Sequence, residues 1–473
     1  MQKLLKYSLI LWLLSVPLSL PYSLKVAPGS TSFLLSGIYL SDLTSLVFLI
    51  VLFFYFYSYK GSFSLLKNIL LKKQSVNFVL LLFLVFICLS VFWSGEPLLS
   101  LLLGLRMVIF FLVLFSVAYF FSLSSKIKRL FLYIFVFLGV FESLIGLLQV
   151  VFSRSLGFYL LGESHLGPEV LGLARFPLLG HDFLRAYGTL PHPNVLGGFF
   201  LFTISATLTL INLEKSNTKN TEKYKQCVIP AKAGTQENNK QHYCLFILIR
   251  MVQTGKNCKS VENIALFIQF IGLILTFSRS ALLGLILMAV LNLKTIRSVF
   301  EKFKKKSVVV SAILILIAFS FLLRGSVYNF IFLKGESIEL RMELAKASEK
   351  RFLSSPLLGR GWGTGPIELS AFSDYPFYFF EHQPVHNIYL LVLSDLGVTG
   401  FLIFAVFLIG IAVRVKLSEK KTLIWGSLFL AYLFIGIFDH YLLTLPQGIF
   451  IFLGSALIFL AEERRIGKKQ LGK

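Results

Sequence analysis

The chain has 473 residues, of which 56% are hydrophobic and only 15% charged, with a mean hydropathy of +0.79. A soluble domain carries about 25% charge, so that class is excluded and the composition is that of a polytopic membrane protein. The net charge of +23, from 46 basic and 23 acidic residues, would suggest a nucleic-acid partner in a soluble chain, but its placement assigns it to membrane topology.

A bilayer core takes roughly 20 apolar residues per helix. In chain order, apolar runs lie near Leu4–Leu20, Leu40–Tyr57, Val76–Trp93, Leu98–Phe121, Leu130–Phe152 and Asn194–Ile211. They continue near Ile264–Phe277, Ala281–Leu293, Val308–Leu323, Ile388–Val413, Leu423–Phe438 and Leu443–Leu460. The expectation is therefore an all-α bundle of about twelve spans. Lys3 and Lys6 give the first run the basic start of a signal peptide, but it lacks a small-x-small cleavage site and reads as an anchor. Of the four cysteines, Cys88 lies in an apolar run and Cys227, Cys244 and Cys258 share one polar loop. No paired framework spans the chain, so disulfides do not organise the fold.

Lysine and arginine in the loops set the orientation. With the N-terminus in the cytoplasm and spans alternating, 33 of the 46 basic residues fall on the inner side. Both termini are then cytoplasmic. Three segments lie outside: Ser153–Pro193, the tight turn at Ser278-Arg279-Ser280, and the long loop Arg324–His386. The inner segment Glu214–Val261 is polar and rich in Asn, Lys and Gln; it reads as a disordered insertion.

The outer segments carry the chemistry-bearing residues. In Arg185-Ala186-Tyr187-Gly188-Thr189-Leu190-Pro191-His192-Pro193-Asn194 the prolines break any helix before Asn194, leaving Asn194 to cap the next span. Arg279 joins two apolar runs with no other charge nearby, a costly position without an anionic partner. In the long loop, Ile338, Leu340, Leu344, Ala347 and Phe352 follow a helical face. Pro356 closes that helix, and Gly359, Gly361, Gly363 and Gly365 then form a tight turn around Trp362. Tyr375 and Phe377–Phe380 read as an interfacial aromatic belt or a sugar-stacking platform. His386 and Asn387 stand just before a long apolar run. Two guanidinium forks suit a diphosphate, and a histidine suits removal of a hydroxyl proton near neutral pH. With no paired carboxylates and no cysteine cluster beside them, a metal site is not expected.

The spacing His386-Asn387, nine residues, Gly397, two residues, Gly400 resembles the motif of the O-antigen ligase and polymerase superfamily. Arg185…His192-Pro193-Asn194 and Thr276-Phe277-Ser278-Arg279-Ser280 resemble two further blocks of that family in the same order. Arg341 and the Gly359–Gly365 turn are similar to its outer loop. The resemblance spans roughly Leu98 to Leu460 and leaves out the insertion.

That resemblance implies a single polytopic domain with a large extracytoplasmic loop over a cavity. It also implies transfer of a glycan from a polyprenyl diphosphate to an acceptor hydroxyl on the outer face of the bacterial cytoplasmic membrane. Arg185 and Arg279 would hold the diphosphate and His386 would activate the acceptor, with Asn194, Asn387, Arg341, Gly397 and Gly400 in support. The partners are then the lipid-linked glycan, a glycan or lipid A-core-like acceptor and membrane lipids, with no nucleic acid, cofactor or metal. Three alternatives stand beside ligation. One is polymerisation of lipid-linked repeat units. Another is a transporter or flippase of the same lipid, which would show a discontinuous helix and internal repeats. The third is a glycosyltransferase with a carboxylate base at an outer helix end, for which Asp42 is the candidate.

Overall fold

A computed structural model of the chain describes residues 1–23, 37–58, 76–170, 172–178, 181–225, 258–292, 336–377, 382–418 and 423–471. In chain order the helices are α1 Gln2–Ser15, α2 Leu40–Ser58, α3 Val76–Leu89, α4 Pro97–Leu123, α5 Ser125–Phe152, α6 Pro193–Lys225 and α7 Cys258–Leu275. They continue as α8 Arg279–Leu291, α9 Glu336–Ser354, α10 Gly365–Phe372, α11 Ile388–Leu417, α12 Leu423–Ile435, α13 Tyr441–Thr444 and α14 Pro446–Leu471. Two small antiparallel ribbons complete the elements. One pairs β1 Pro21–Ser23 with β2 Gly37–Tyr39; the other pairs β3 Arg175–Leu178 with β4 His181–Leu184.

Among the described residues, seven helical segments are long and apolar enough to cross a membrane: Leu40–Ser58, Val76–Trp93, Pro97–Leu123, Ser125–Phe152, Pro193–Glu214, Ile388–Lys416 and Pro446–Glu463. Val261–Leu275, Arg279–Leu291 and Leu423–Ile435 are apolar but shorter. The run expected at Leu4–Leu20 is the 14-residue α1, and Pro17 stands just past its end. The run expected at Val308–Leu323 lies outside the described residues. The stretch read as an insertion is helical at both edges, because α6 runs on to Lys225 and α7 starts at Cys258; residues between them lie outside the described set. The protein is thus an all-α membrane bundle.

Packing follows from sidedness. A helix that is apolar all round belongs in the interior, and α14 and α6 are buried along nearly their whole apolar lengths. Around them, α14 packs on α4 and α12, α5 on α6 and α7, α11 on α3, and α8 on α12. Phe131, Phe135, Phe202, Trp425 and Phe450 interlock at the centre with ring centroids 4.8–6.3 Å apart. Buried hydroxyls within α6 are satisfied by the helix itself: Ser205, Thr207 and Thr209 each donate to the carbonyl four residues earlier.

The run read as one span from Ile388 is a broken helix. Gly397, inside α11, has φ 63° and ψ −171°, a conformation essentially closed to residues with a side chain. The backbone groups this break releases are taken up by the glycine-rich turn. Val398 N–H donates to the Pro356 carbonyl at 2.8 Å and Thr399 N–H to that of Leu357 at 3.2 Å, while Gly361 N–H donates to the Asp395 carbonyl at 2.9 Å. Beneath them, Arg351 of α9 donates to buried Asp395 Oδ1 at 2.5 Å and to part-buried Glu368 Oε2 at 2.8 Å, and Gly363 N–H donates to Asp395 Oδ2 at 2.7 Å. The break is therefore the seat of the Gly359–Gly365 turn. Gly400 lies one turn beyond, close against Phe86 of α3. At Gly397 a Cβ would sit 2.5 Å from the Leu357 carbonyl group. Gly397→Ala is expected to add about 1–3 kcal/mol of backbone strain to that clash, seen as a lower melting temperature and a poorer yield in detergent; a wild-type melting curve would contradict the seating.

Candidate active site at the His386 end of the bundle

The site is built on a loop that a transmembrane helix holds by its polar side chains. Glu142 and Gln149, two turns apart on α5, are both fully buried. Glu142 accepts from Thr189 N–H at 2.8 Å and Thr189 Oγ1 at 2.7 Å. Gln149 accepts from Tyr187 and Gly188 N–H at 3.1 and 2.8 Å and donates to the Gly188 carbonyl at 2.8 Å. The loop carrying Arg185 and His192 is thus fastened to a rigid element. The β3–β4 hairpin closes over it, with Phe176 stacked on Phe277 at 4.1 Å and 9°. Phe277 itself has φ 45°, rare for an aromatic residue, at the turn that delivers Arg279 to the start of α8.

Arg185 is braced at both sides of its fork: Nε donates to the Thr276 carbonyl at 2.7 Å and Nη2 to Asn194 Oδ1 at 2.7 Å. Asn194 passes the connection on, its Nδ2 donating to Asp439 Oδ2 at 2.7 Å. The expectation that Asn194 caps α6 is corrected here. The helix starts at Pro193, which places Asn194 inside the first turn, and His192 does the capping, its Nδ1 accepting from Asn194 N–H at 3.1 Å. Arg341, on α9, donates to the Phe438 carbonyl at 3.2 Å.

His386 stands before α11, partly exposed, with a buried Nδ1 that has no hydrogen-bond partner among the described residues. The bonds of the adjacent Asn387 go to α11 and to Ile437. Its Oδ1 caps α11 by accepting from Tyr389 and Leu390 N–H at 2.9 and 3.0 Å, and its Nδ2 donates to the Ile437 carbonyl at 3.2 Å. The neighbour of the His386 ring is His440, edge to face at 5.0 Å and 85°. His440 Nδ1 bonds to Thr444 Oγ1 at 2.8 Å, and His440 N–H donates to Asp439 Oδ1 at 3.0 Å. Sequence reading missed Asp439 and His440. Their signal was an ionisable pair at the far end of the apolar run Leu423–Phe438, as His386 stands at the near end of another.

Charge is concentrated here. The charges of Arg279 and Arg341 act on Arg185 and that of Arg341 on Arg279, and those of Arg185, Arg341 and Asp439 act on His192. Burial, with the other guanidiniums adding to it, brings Arg185 down to about 10. Burial and Arg185 push His192 down to about 3, and burial brings His440 to about 4. His386 lies well below its ordinary value through burial, His440 and Arg341. All three rings are therefore neutral at pH 7, and neutral imidazole is the proton-accepting form. One ligand-type atom from each of His386, Asp439 and His440 lies within 4.8 Å of the others, so the fold supplies companions for His386 that the sequence does not display. The Arg341 guanidinium beside His386 and His440, with Arg185 near Asp439, opposes a cation in that triangle and favours an anion beside it.

Asp42, the alternative base, opens α2, where Arg106 grips its carboxylate with Nε at 3.1 Å and Nη2 at 2.9 Å and Tyr39 N–H donates at 2.8 Å. The carboxylate next to His386 is that of Asp439. A search of curated proteins found no match. Residues 264–405 match the family model described as O-antigen ligase, a stretch that holds Arg279, Arg341, the glycine-rich turn, His386, Gly397 and Gly400. That match, on an all-helical membrane bundle, supports an O-antigen ligase/polymerase-like family for this chain.

Proposed function

We propose that the protein transfers a glycan from a polyprenyl diphosphate to an acceptor hydroxyl at the extracytoplasmic face of a bacterial inner membrane. The observation that carries this reading is the grouping of Arg185, Arg279 and Arg341, from three separate segments, beside the half-buried histidines and Asp439. The guanidiniums hold the donor diphosphate and stabilise the charge it gains as the leaving group. Arg279 opens α8, whose first-turn N–H groups and dipole act in the same sense. Neutral His386 takes the proton of the attacking hydroxyl, and attack at the anomeric carbon opposite the diphosphate inverts its configuration. Arginine supplies the positive charge that a metal supplies elsewhere, so the reaction runs without a divalent ion. Ligation to a lipid A-core-like acceptor is the first reading, with polymerisation of repeat units beside it. The broken helix at Gly397 does not favour a transporter, because its released backbone groups are bonded by the glycine-rich turn.

The test is donor-dependent transfer by purified protein in liposomes, with lipid-linked glycan and rough lipopolysaccharide, with and without EDTA. Transfer insensitive to EDTA is expected. Activity lost to EDTA and restored by Mg²⁺ or Mn²⁺ would overturn the metal-free mechanism, and an inert protein that moves the lipid across the bilayer would overturn the enzyme reading.

A further inference from the structure

The reaction proposed above leaves His440 without a role, and its hydrogen bonds give it one. Thr444 Oγ1 lies 3.2 Å from the His440 carbonyl, within donating distance one helical turn back, and 2.8 Å from His440 Nδ1. A hydroxyl has a single hydrogen. With that hydrogen given to the carbonyl, Thr444 accepts from His440 Nδ1–H, and the ring keeps its lone pair on Nε2. His440 is also held at its backbone, where N–H donates to Asp439 Oδ1 at 3.0 Å, and its ring meets that of His386 edge to face. His386, His440 and Asp439 thus bring one ligand-type atom each within 4.8 Å of the others, and His386 Nδ1 is buried with no hydrogen-bond partner among the described residues. A cluster of acceptors beside cationic arginines calls for a ligand rich in O–H donors. An acceptor sugar, with a hydroxyl next to the one that reacts, is such a ligand.

We propose that His440 is a positioning residue for the acceptor: its Nε2 receives a hydrogen bond from the acceptor sugar while the reacting hydroxyl faces His386, and Thr444 fixes the tautomer that makes this possible. The inference rests on the glycan-transfer reading.

The experiment uses the full-length protein in liposomes, with lipid-linked glycan as donor and rough lipopolysaccharide as acceptor. His440→Ala is expected to lower kcat/KM for the acceptor by roughly tenfold to a hundredfold, the scale of a lost hydrogen bond in a desolvated site, with donor KM unchanged. Thr444→Val, which removes only the hydroxyl, is expected to move the acceptor parameters the same way, on the order of tenfold, and Thr444→Ser to restore them. A structural defect alone would not spare donor KM or be rescued by serine. Wild-type acceptor kinetics in both Thr444→Val and His440→Ala would overturn the proposal while leaving His386 as the base. EDTA-sensitive transfer regained with Mn²⁺ or Zn²⁺ would assign the three side chains to a cation instead, and also overturn it. A wild-type protein that transfers nothing would sink the parent reading together with this one, an outcome distinct from the other two.

Discussion

His386→Ala is expected to abolish glycan transfer while donor binding survives. Removing a general base costs roughly 10²–10⁴-fold in rate, and the neighbouring polar groups are already engaged in bonds of their own. Asp439 is tied to Asn194 and to the His440 backbone, and His440 Nδ1 is tied to Thr444. The arginines are braced independently of His386: Arg185 rests on Thr276 and Asn194, and Arg341 on Phe438. Binding of lipid-linked glycan to the purified variant should therefore match the wild type while turnover falls to background. The pH profile carries a second signature. His386 sits well below its ordinary value in the free protein, so the base stays unprotonated as pH falls through 6.5, and the acidic limb of kcat/KM should lie below that point. A limb at 6.5 or above would contradict the buried setting, and an active His386→Ala protein would remove the base assignment and turn attention to His440.

Arg279→Lys is expected to be a severe loss even though the charge is kept. A diphosphate offers oxygens in pairs, which the guanidinium fork meets bidentately and a single ammonium does not. Loss of one charge-assisted hydrogen bond costs about 1.5–3 kcal/mol, or roughly tenfold to over a hundredfold in kcat/KM for the donor. Turnover measured at low donor concentration is the sensitive readout, since saturating donor hides a binding defect. Near-wild-type turnover in the lysine variant under those conditions would reduce Arg279 to an interfacial anchor.

The bundle is legible in the sequence because long apolar runs have few fates, and α2 through α6 fall where the hydropathy puts them. What periodicity does not carry is a break inside a run. Ile388–Val413 reads as one apolar span, and only the φ of Gly397 divides it; likewise Leu443–Leu460 hides the step between α13 and α14 at Pro446. The candidate site is legible in part for the same reason. Arg279 and His386 stand out as a charge and an imidazole at helix ends, and Arg185 as a charge in a loop between apolar runs. Their connections do not, because hydrogen bonds such as Asn194 to Asp439 join residues far apart in the chain. The buried Glu142 and Gln149 were visible as polar letters in an apolar helix, but nothing local says that they hold a loop.

The chain of bonds from Arg185 through Asn194 and Asp439 to the His440 backbone joins the half of the site proposed to hold phosphate to the half proposed to hold the hydroxyl. A ligand that draws Arg185 toward itself loads one end of this chain, and a ligand seated against His440 loads the other. Linkage makes such a connection symmetric: whatever factor the first substrate contributes to the affinity of the second, the second returns to the first. The two substrates then report on each other without either touching the other's residues. Asn194, the one member that both accepts from Arg185 and donates to Asp439, is where the exchange can be cut.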